Sequence, residues 1–423
     1  MHNYKIKEVF RTPNTSGHFF GYFDKSQLSY DKCKLLVHKI KKWDKYPQKK
    51  ETFQIGFYKI QDKNKRFFQI GETNCINFQM GCNLQWINEK CNEVIYNKLL
   101  NNKYVSIRKK IKNGIEKIIT PAIYCIDKTG KYGLAINFNR HDVIRPGYSY
   151  RHETQHSNHI PIEKKDWVKL VNLNTGKSKI ILTMDDLLAL HPVSSMEKSF
   201  HYIEHLSFSP NGENIIFFHR WKSQENQIYS RVYLYNFKKK TIKPILDSGR
   251  GSHYCWLNNE EILIYGGKKN ILSIARSKRK IAKFFFKPLL PIYHFFIKDN
   301  SYISKNLTGD SYWKINVNNG CMEKVLNSLR LEDGHPTFNG KFLVTDTYSG
   351  KKNNHKASLF LVSGNLKQDL VLDQVSILGD KNLDESPFRC DLHPRFCYDT
   401  NYFTVDAFDK GNRISIVFKI LKS

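Results

Sequence analysis

Short apolar runs separated by turns rich in Asn, Asp or Gly recur along the whole chain. The clearest copy is "HLSFSPNGENIIFF" (205–218): a short strand, a turn and a second apolar strand. The same phrase returns as "HYCWLNNEEILIY" (253–265), "HPTFNGKFLVT" (335–345) and "HPRFCYDTNYFTV" (393–405), each opening His-x-x-Phe or His-x-x-Trp. "NLQWINEKCNEVIY" (83–96) keeps the frame, while 126–136 and 28–37 keep only the turn and second strand. Between these phrases lie segments of another type, such as "VKLVNLNTGKSKIIL" (168–182), "SRVYLYNFKKKTIKPIL" (230–246) and "SYWKINVNNGCMEKVL" (311–326). Each reads as a strand, a polar turn and a return strand, the sequence form of a hairpin.

Two strands from the phrase and two from the hairpin make a four-stranded unit that cannot bury both faces without neighbours. Seven phrases therefore predict an all-β fold, a seven-bladed β-propeller with four-stranded antiparallel blades, spanning 1–423 as one domain. "KIKEVF" (5–10) and "RISIVFKIL" (413–421) are both strand-like, and pairing the two ends would remove exposed edges. One stretch breaks the rhythm: "RSKRKIAKFFFKPLLPIYHFFIKDN" (276–300) reads as a basic, aromatic insertion. It fits either an anionic membrane interface or packing on the propeller, and Pro288 and Pro291 interrupt any long helix. Residues 140–165 read as a second, polar loop overhanging one face.

The net charge of +29 suits an anionic partner, although Lys, Asn and Ile are abundant everywhere and part of the charge is compositional. An acidic glycan is the expected partner rather than nucleic acid. Nine scattered cysteines without a CxxC pair point to reduced thiols and away from a disulfide framework or zinc knuckle. The first residues lack an apolar signal-peptide core. The expectation is a cytoplasmic protein, free or peripheral on the inner membrane.

The repeat also makes a geometric statement, because equivalent positions in successive blades form a ring around the axis. His205, His253, His335 and His393 are equivalent, with Asn83 at the same register. One such histidine could be a satisfied turn residue; four at one register point to a shared site, and neutral imidazoles suit a divalent ion such as Mn, Zn or Fe. Asp391 or water would complete its sphere. A second polar layer follows the apolar second strands: His38, Asn97, Asn137 with Arg140, His219 with Arg220, Asp346 and Asp406. Arg145, Arg151, Arg220, Arg389 and Arg395 are placed to clamp a carboxylate or phosphate. Arg145, Tyr148, Asn83, Gln85, His219 and Asp346 are the expected substrate contacts. No Walker loop, GxSxG, HExxH or GxGxxG occurs, so no nucleotide cofactor is expected.

"NFQMGCNLQWI" (77–87), "RPGYSY" (145–150), "HYIEHLSFSPNGENIIFFHRW" (201–221), "SHYCW" (252–256), "DGHPTF" with "VTDTY" (333–348) and "RCDLHPRF" (389–396) together resemble TolB-like seven-bladed propellers related to oligogalacturonate lyases. The resemblance implies cleavage of uronate-containing oligosaccharides by β-elimination, with a divalent metal held by histidines and a glutamine. It makes His253 and His393 metal-ligand candidates and His205 the candidate base. The lyases carry His-Pro-His-Pro in the last blade, where this chain has Asp391-Leu-His393-Pro394. One consistent assignment puts His253, His335, Asp391 and His393 on the metal and Arg220 or Arg395 on the uronate carboxylate. His205, near its ordinary pKa of about 6.5, would then remove the C5 proton. Relatives of this type also occur among surface-polysaccharide genes, some labelled glycosyltransferase. Two other readings therefore stay open: a glycosyltransferase-type enzyme of capsule or lipopolysaccharide assembly held at the membrane by 276–300, and a non-enzymatic glycan- or protein-binding propeller.

Overall fold

Seven antiparallel sheets, each of four strands, form the ring that the repeat predicts. The computed structural model describes residues 4–422 except 42–43, 46, 48–50, 146, 151–165, 225–226, 268–309, 328–330, 380–382, 384–385 and 387. Blade I runs from the inner strand Gly17–Phe19 to the outer strand Phe67–Thr73, blade II from Gln85–Trp86 to Glu116–Ile119, and blade III from Cys125–Ile126 to Ser178–Thr183. Blade IV runs from Phe200–Phe208 to Thr241–Gly249, blade V from Gly251–Trp256 to Met322–Val325, and blade VI from Thr337–Phe338 to Val371–Leu378. Blade VII combines Arg395–Phe396, Tyr402–Asp409 and Asn412–Lys422 with the N-terminal strand Tyr4–Arg11. Ile6 lies opposite Ile420 and Phe10 opposite Val417, so the two chain ends share one sheet and close the ring without a free edge there.

The alternation of the strands carries the packing between blades. Leu36, Ile55 and Phe57 of blade I meet Val94, Tyr96 and Val105 of blade II, and Phe342, Val344 and Leu359 of blade VI meet Phe403, Val405 and Ile416 of blade VII. Each blade's apolar faces are thereby covered by its neighbours, as the repeat requires.

Two stretches differ from expectation. Blade I's inner strand lies upstream of the phrase at 28–37, and the segment between them crosses the axis, where Tyr22 and Phe23 are buried. Residues 140–165 are not loop throughout: Phe138–Ile144 is a helix, because Phe138 stacks on Tyr150 at 5.0 Å and packs against Tyr104 and Tyr124. Arg151 and the remainder of that loop, and the whole of 276–300, lie outside the described residues. Among the described residues, no helix is long and apolar enough to cross a membrane.

The polar residues that end the second strands latch one blade to the next. Asn97 donates to the Ile123 carbonyl of blade III, Asp346 accepts from the His393 backbone of blade VII, and Asp406 accepts from the Phe20 and Gly21 amides of blade I. Arg220 donates to the Gly251 carbonyl of blade V. The inner strands of blades II, III, VI and VII are two residues long and that of blade I three, so backbone groups beside them lie outside the ladder. Buried side chains supply the missing partners, as buried backbone requires.

Candidate functional site

The ring histidines leave regular strand geometry where they turn toward the axis. His205 sits in the irregularity between Glu204 and Ser207 with φ +54°, His393 has φ +45°, and Asn83 has φ +55°. Left-handed backbone at a non-glycine residue costs on the order of 1 kcal/mol and is held here by the surrounding sheets. His253 lies in a second irregularity, between Gly251 and Tyr254.

Tyr22 and Phe23 fill the centre of this ring. The Tyr22 ring is 5.2 Å from His205 and from His393, and 6.4 Å from His253 and His335. Gly21 makes this crossing feasible, because its φ is +128° and a Cβ there would lie 2.6 Å from the Met80 carbonyl carbon. Arg395, fully buried, donates to the Tyr22 carbonyl at 3.0 Å, the Gly21 carbonyl at 2.5 Å and Asp406 at 2.6 Å. It therefore holds the crossing segment in place.

On one side of Tyr22, His253, His335 and His393 stand in a row with ring centroids 4.2 and 4.3 Å apart. Each keeps its Nδ1 on a fixed partner. His335 Nδ1 lies 3.0 Å from both Asp346 oxygens, His393 Nδ1 lies 2.9 Å from the Gly21 carbonyl, and His253 Nδ1 lies 3.2 Å from Asp333. Acceptors at Nδ1 fix the tautomer and leave Nε2 as the lone-pair nitrogen. His393 Nε2 is buried and without a hydrogen-bond partner. His335, His393 and Asp391 each bring one ligand atom within 4.8 Å of the others, all buried. An orphaned imidazole nitrogen beside a second imidazole and a carboxylate fits a divalent cation. Arg389 Nε caps Asp391 at 2.9 and 3.0 Å.

Electrostatics sharpens the row. Burial opposes the imidazolium of His335, but the Asp346 carboxylate outweighs it and raises the proton affinity of that ring. Burial lowers His253, with His335 adding to it. Burial, His335 and Arg395 hold His393 well below the ordinary range. His253 and His393 are accordingly neutral at pH 7.

On the other side stands Glu204, the chain neighbour of His205. Its carboxylate is ion-paired with Arg145 and, at 2.9 Å, with Arg220, and lies 3.2 Å from His141 and 3.3 Å from His205 Nε2. Burial would raise this carboxyl, and the two arginines overcome that and hold it well below the usual range. His205 Nδ1 is 2.7 Å from the Tyr22 hydroxyl, giving a buried chain Tyr22–His205–Glu204. Burial lowers His205 to about 3, not the ordinary 6.5 expected from sequence; Glu204 opposes the shift and Arg220 and Arg145 add to it. Arg145 stacks on Tyr148 at 3.8 Å, and Arg389 reaches the Tyr148 hydroxyl at 3.4 Å, so Tyr148 joins the two clusters at the mouth.

The remaining expected contacts lie behind this mouth. Asp346 is buried and occupied by His335 and His393, and Asn83 donates to the Tyr150 hydroxyl. Gln85 bonds the Asn83 and Tyr124 carbonyls. His219 pairs with His201 at 2.9 Å inside blade IV, beside Trp221. Tyr22, Glu204 and Asp333 are site groups that the sequence pattern does not single out, whereas Arg389, expected as a carboxylate clamp, lies on Asp391 at the mouth. A carboxylate between the apolar Ile203 and the ring histidine His205 is the one local signal for Glu204.

Fold and site together define a seven-bladed propeller with a histidine and carboxylate cluster on its axis, flanked by arginines. The oligogalacturonate lyase of Vibrio parahaemolyticus has this fold: 99% of this chain aligns with 97% of that protein at a TM-score of 0.60 and 12% identity. TolB from Acinetobacter baumannii aligns over 79% of this chain and 62% of that one, with a TM-score of 0.39 and 11% identity. The tricorn protease aligns over 99% and 34%, with a TM-score of 0.48 and 10% identity. No protein-family model matches the chain, and neither does any curated protein sequence. At 12% identity the likeness to the lyase establishes the fold alone, and function has to be argued from the site.

Proposed function

We propose that this propeller cleaves a uronate-containing oligosaccharide by metal-assisted β-elimination. The observation that carries the reading is the buried, unpartnered Nε2 of His393 beside His335 and Asp391, at an arginine-lined mouth. It is supported by full-length structural similarity to a protein named as an oligogalacturonate lyase. His335, His393 and Asp391 would hold the cation, with His253 alongside, and the cation would supply Lewis-acid polarisation of a substrate carboxylate. Arg145 and Arg389, both partly exposed at the mouth, orient that carboxylate through charge-assisted hydrogen bonds. Neutralising the carboxylate acidifies the C5 proton. The Tyr22 oxygen accepts that proton while its own passes to His205 Nδ1, and Glu204 stabilises the resulting imidazolium. The C5 electron pair then forms the C4–C5 double bond as the C4–O bond breaks; the departing oxygen takes up a proton from water, and the hydroxide so formed takes the proton from the His205 imidazolium, restoring the site.

The test is incubation with oligogalacturonate, alginate and glucuronate oligomers, following the ultraviolet absorbance of the conjugated double bond. A signal that depends on added Mn, Zn or Fe and disappears in Tyr22→Phe supports the proposal. Silence with every uronate and every metal refutes it.

A further inference from the structure

A second cavity opens at the opposite end of the axis, with Tyr22 and Phe23 between it and the His253, His335 and His393 row; Tyr22 and His205 line its recess. Its walls lie further along each inner strand: Trp86 follows Asn83, Ser207 follows His205, Phe338 follows His335 and Phe396 follows His393. Its volume is about 330 Å³, and a recess of about 180 Å³ adjoins it beside Trp256. That size is within the usual range for small-molecule sites.

The floor carries an ion pair that no strand or turn requires. Lys25 Nζ bonds both oxygens of Asp24, at 2.7 and 2.8 Å, and the two side chains are only 6% and 16% exposed. Among the described residues, Asp24 is the only hydrogen-bonding partner of this ammonium, which also lies 5.2 Å from the Tyr124 ring. A buried ion pair is stabilising only when its remaining protons and lone pairs are satisfied, so this one needs polar partners in the cavity. Phe338, Trp86 and Phe396 offer apolar faces around it.

Charge separates this mouth from the other. Asp24, Asp127 and Asp399 line it with Lys25 and Lys128, whereas Arg145, Arg220 and Arg389 gather at the histidine mouth. In a chain of net charge +29, a locally acidic cavity disfavours an anion. We infer that this cavity is a second binding site, for a neutral hexose unit. The hydroxyls of the hexose would bond Asp24 and Lys25, and its C–H face would lie on the aromatic wall. This inference does not depend on the elimination chemistry at the other mouth.

Ligand-observed saturation-transfer NMR with the methyl glycosides of glucose, galactose and mannose, and with methyl galacturonide, tests it on the full chain. At least one neutral glycoside is expected to bind saturably. Asp24→Asn is expected to weaken it about tenfold or more. Pro210→Trp adds bulk at the exposed rim without touching the ion pair, and is expected to block binding in a normally folded protein. Arg389→Met, at the other mouth, is expected to leave binding unchanged. No saturable binding of any neutral glycoside overturns the inference. So does binding that survives both Asp24→Asn and Pro210→Trp, or that disappears in Arg389→Met.

Discussion

His335 Nδ1 lies 3.0 Å from both carboxylate oxygens of Asp346, and Asp346 also accepts the backbone amides of His335 and His393. One buried acid thus sets the tautomer of one ring and the backbone position of two. Replacing Asp346 by Asn keeps the shape but removes an acceptor. The expected result is a cation affinity about 10- to 100-fold weaker in a chelator competition. Unchanged affinity would mean that Asp346 only latches blade VI to blade VII.

Glu204 answers two guanidinium groups in a buried setting. Glu204→Gln leaves Arg145 and Arg220 without their counter-charge. Removing one partner of a buried pair costs about 3–5 kcal/mol, so the urea midpoint should fall well below that of the parent chain. A midpoint within error of the parent would show that the arginines find water instead.

Gly21 is the position where the crossing segment can be broken by one methyl group. A Cβ would meet the Met80 backbone at 2.6 Å and would sit at φ +128°. Gly21→Ala should lower stability by about 2 kcal/mol or more and displace Tyr22, read as a lower melting temperature together with a changed near-ultraviolet dichroism. An unaltered melt would contradict the packing described for the axis.

Acid should destabilise the fold through histidines held neutral. Burial, the largest cause in each case, lowers His18, His38 and His201 to about 4. In the unfolded chain these rings take up protons as pH falls through about 6.5, while the folded protein does not until about 4. The unfolded state therefore binds more protons between those values. Each ring costs about 2 kcal/mol of stability at pH 5, and none costs anything above about pH 7. Urea midpoints measured from pH 8 down to pH 5 should be level at first and then drop steeply. A midpoint that holds or rises toward pH 5 would reverse the sign.

The blades were legible because each phrase repeats a strand, a turn and a strand, and the hairpins at 168–182, 230–246 and 311–326 carry polar turns between apolar runs. The ring of histidines was legible for the same reason, since equal register means equal place around the axis. The partners of those histidines were not. Asp333 and the Gly21 carbonyl reach them through contacts between blades far apart in sequence, with no local spacing to betray them, whereas Glu204 is the chain neighbour of His205 and its weight comes from Arg145 and Arg220, which are brought to it by the fold. The role of Arg395 was hidden likewise, because its partners Gly21 and Tyr22 lie at the other end of the chain. The second-strand polar layer was visible as a pattern, but its use as a latch between blades depends on where the next inner strand begins.

The central claim is that His335, His393 and Asp391 form a cation site, and the metal content of the purified protein tests it most directly. Mass-spectrometric elemental analysis after exchange into metal-free buffer should find close to one equivalent of Mn, Zn or Fe per chain. It should find far less in a folded His393→Ala variant, whose loss removes the orphaned Nε2. Metal at trace levels in the parent chain, even after loading with each ion, would contradict the account.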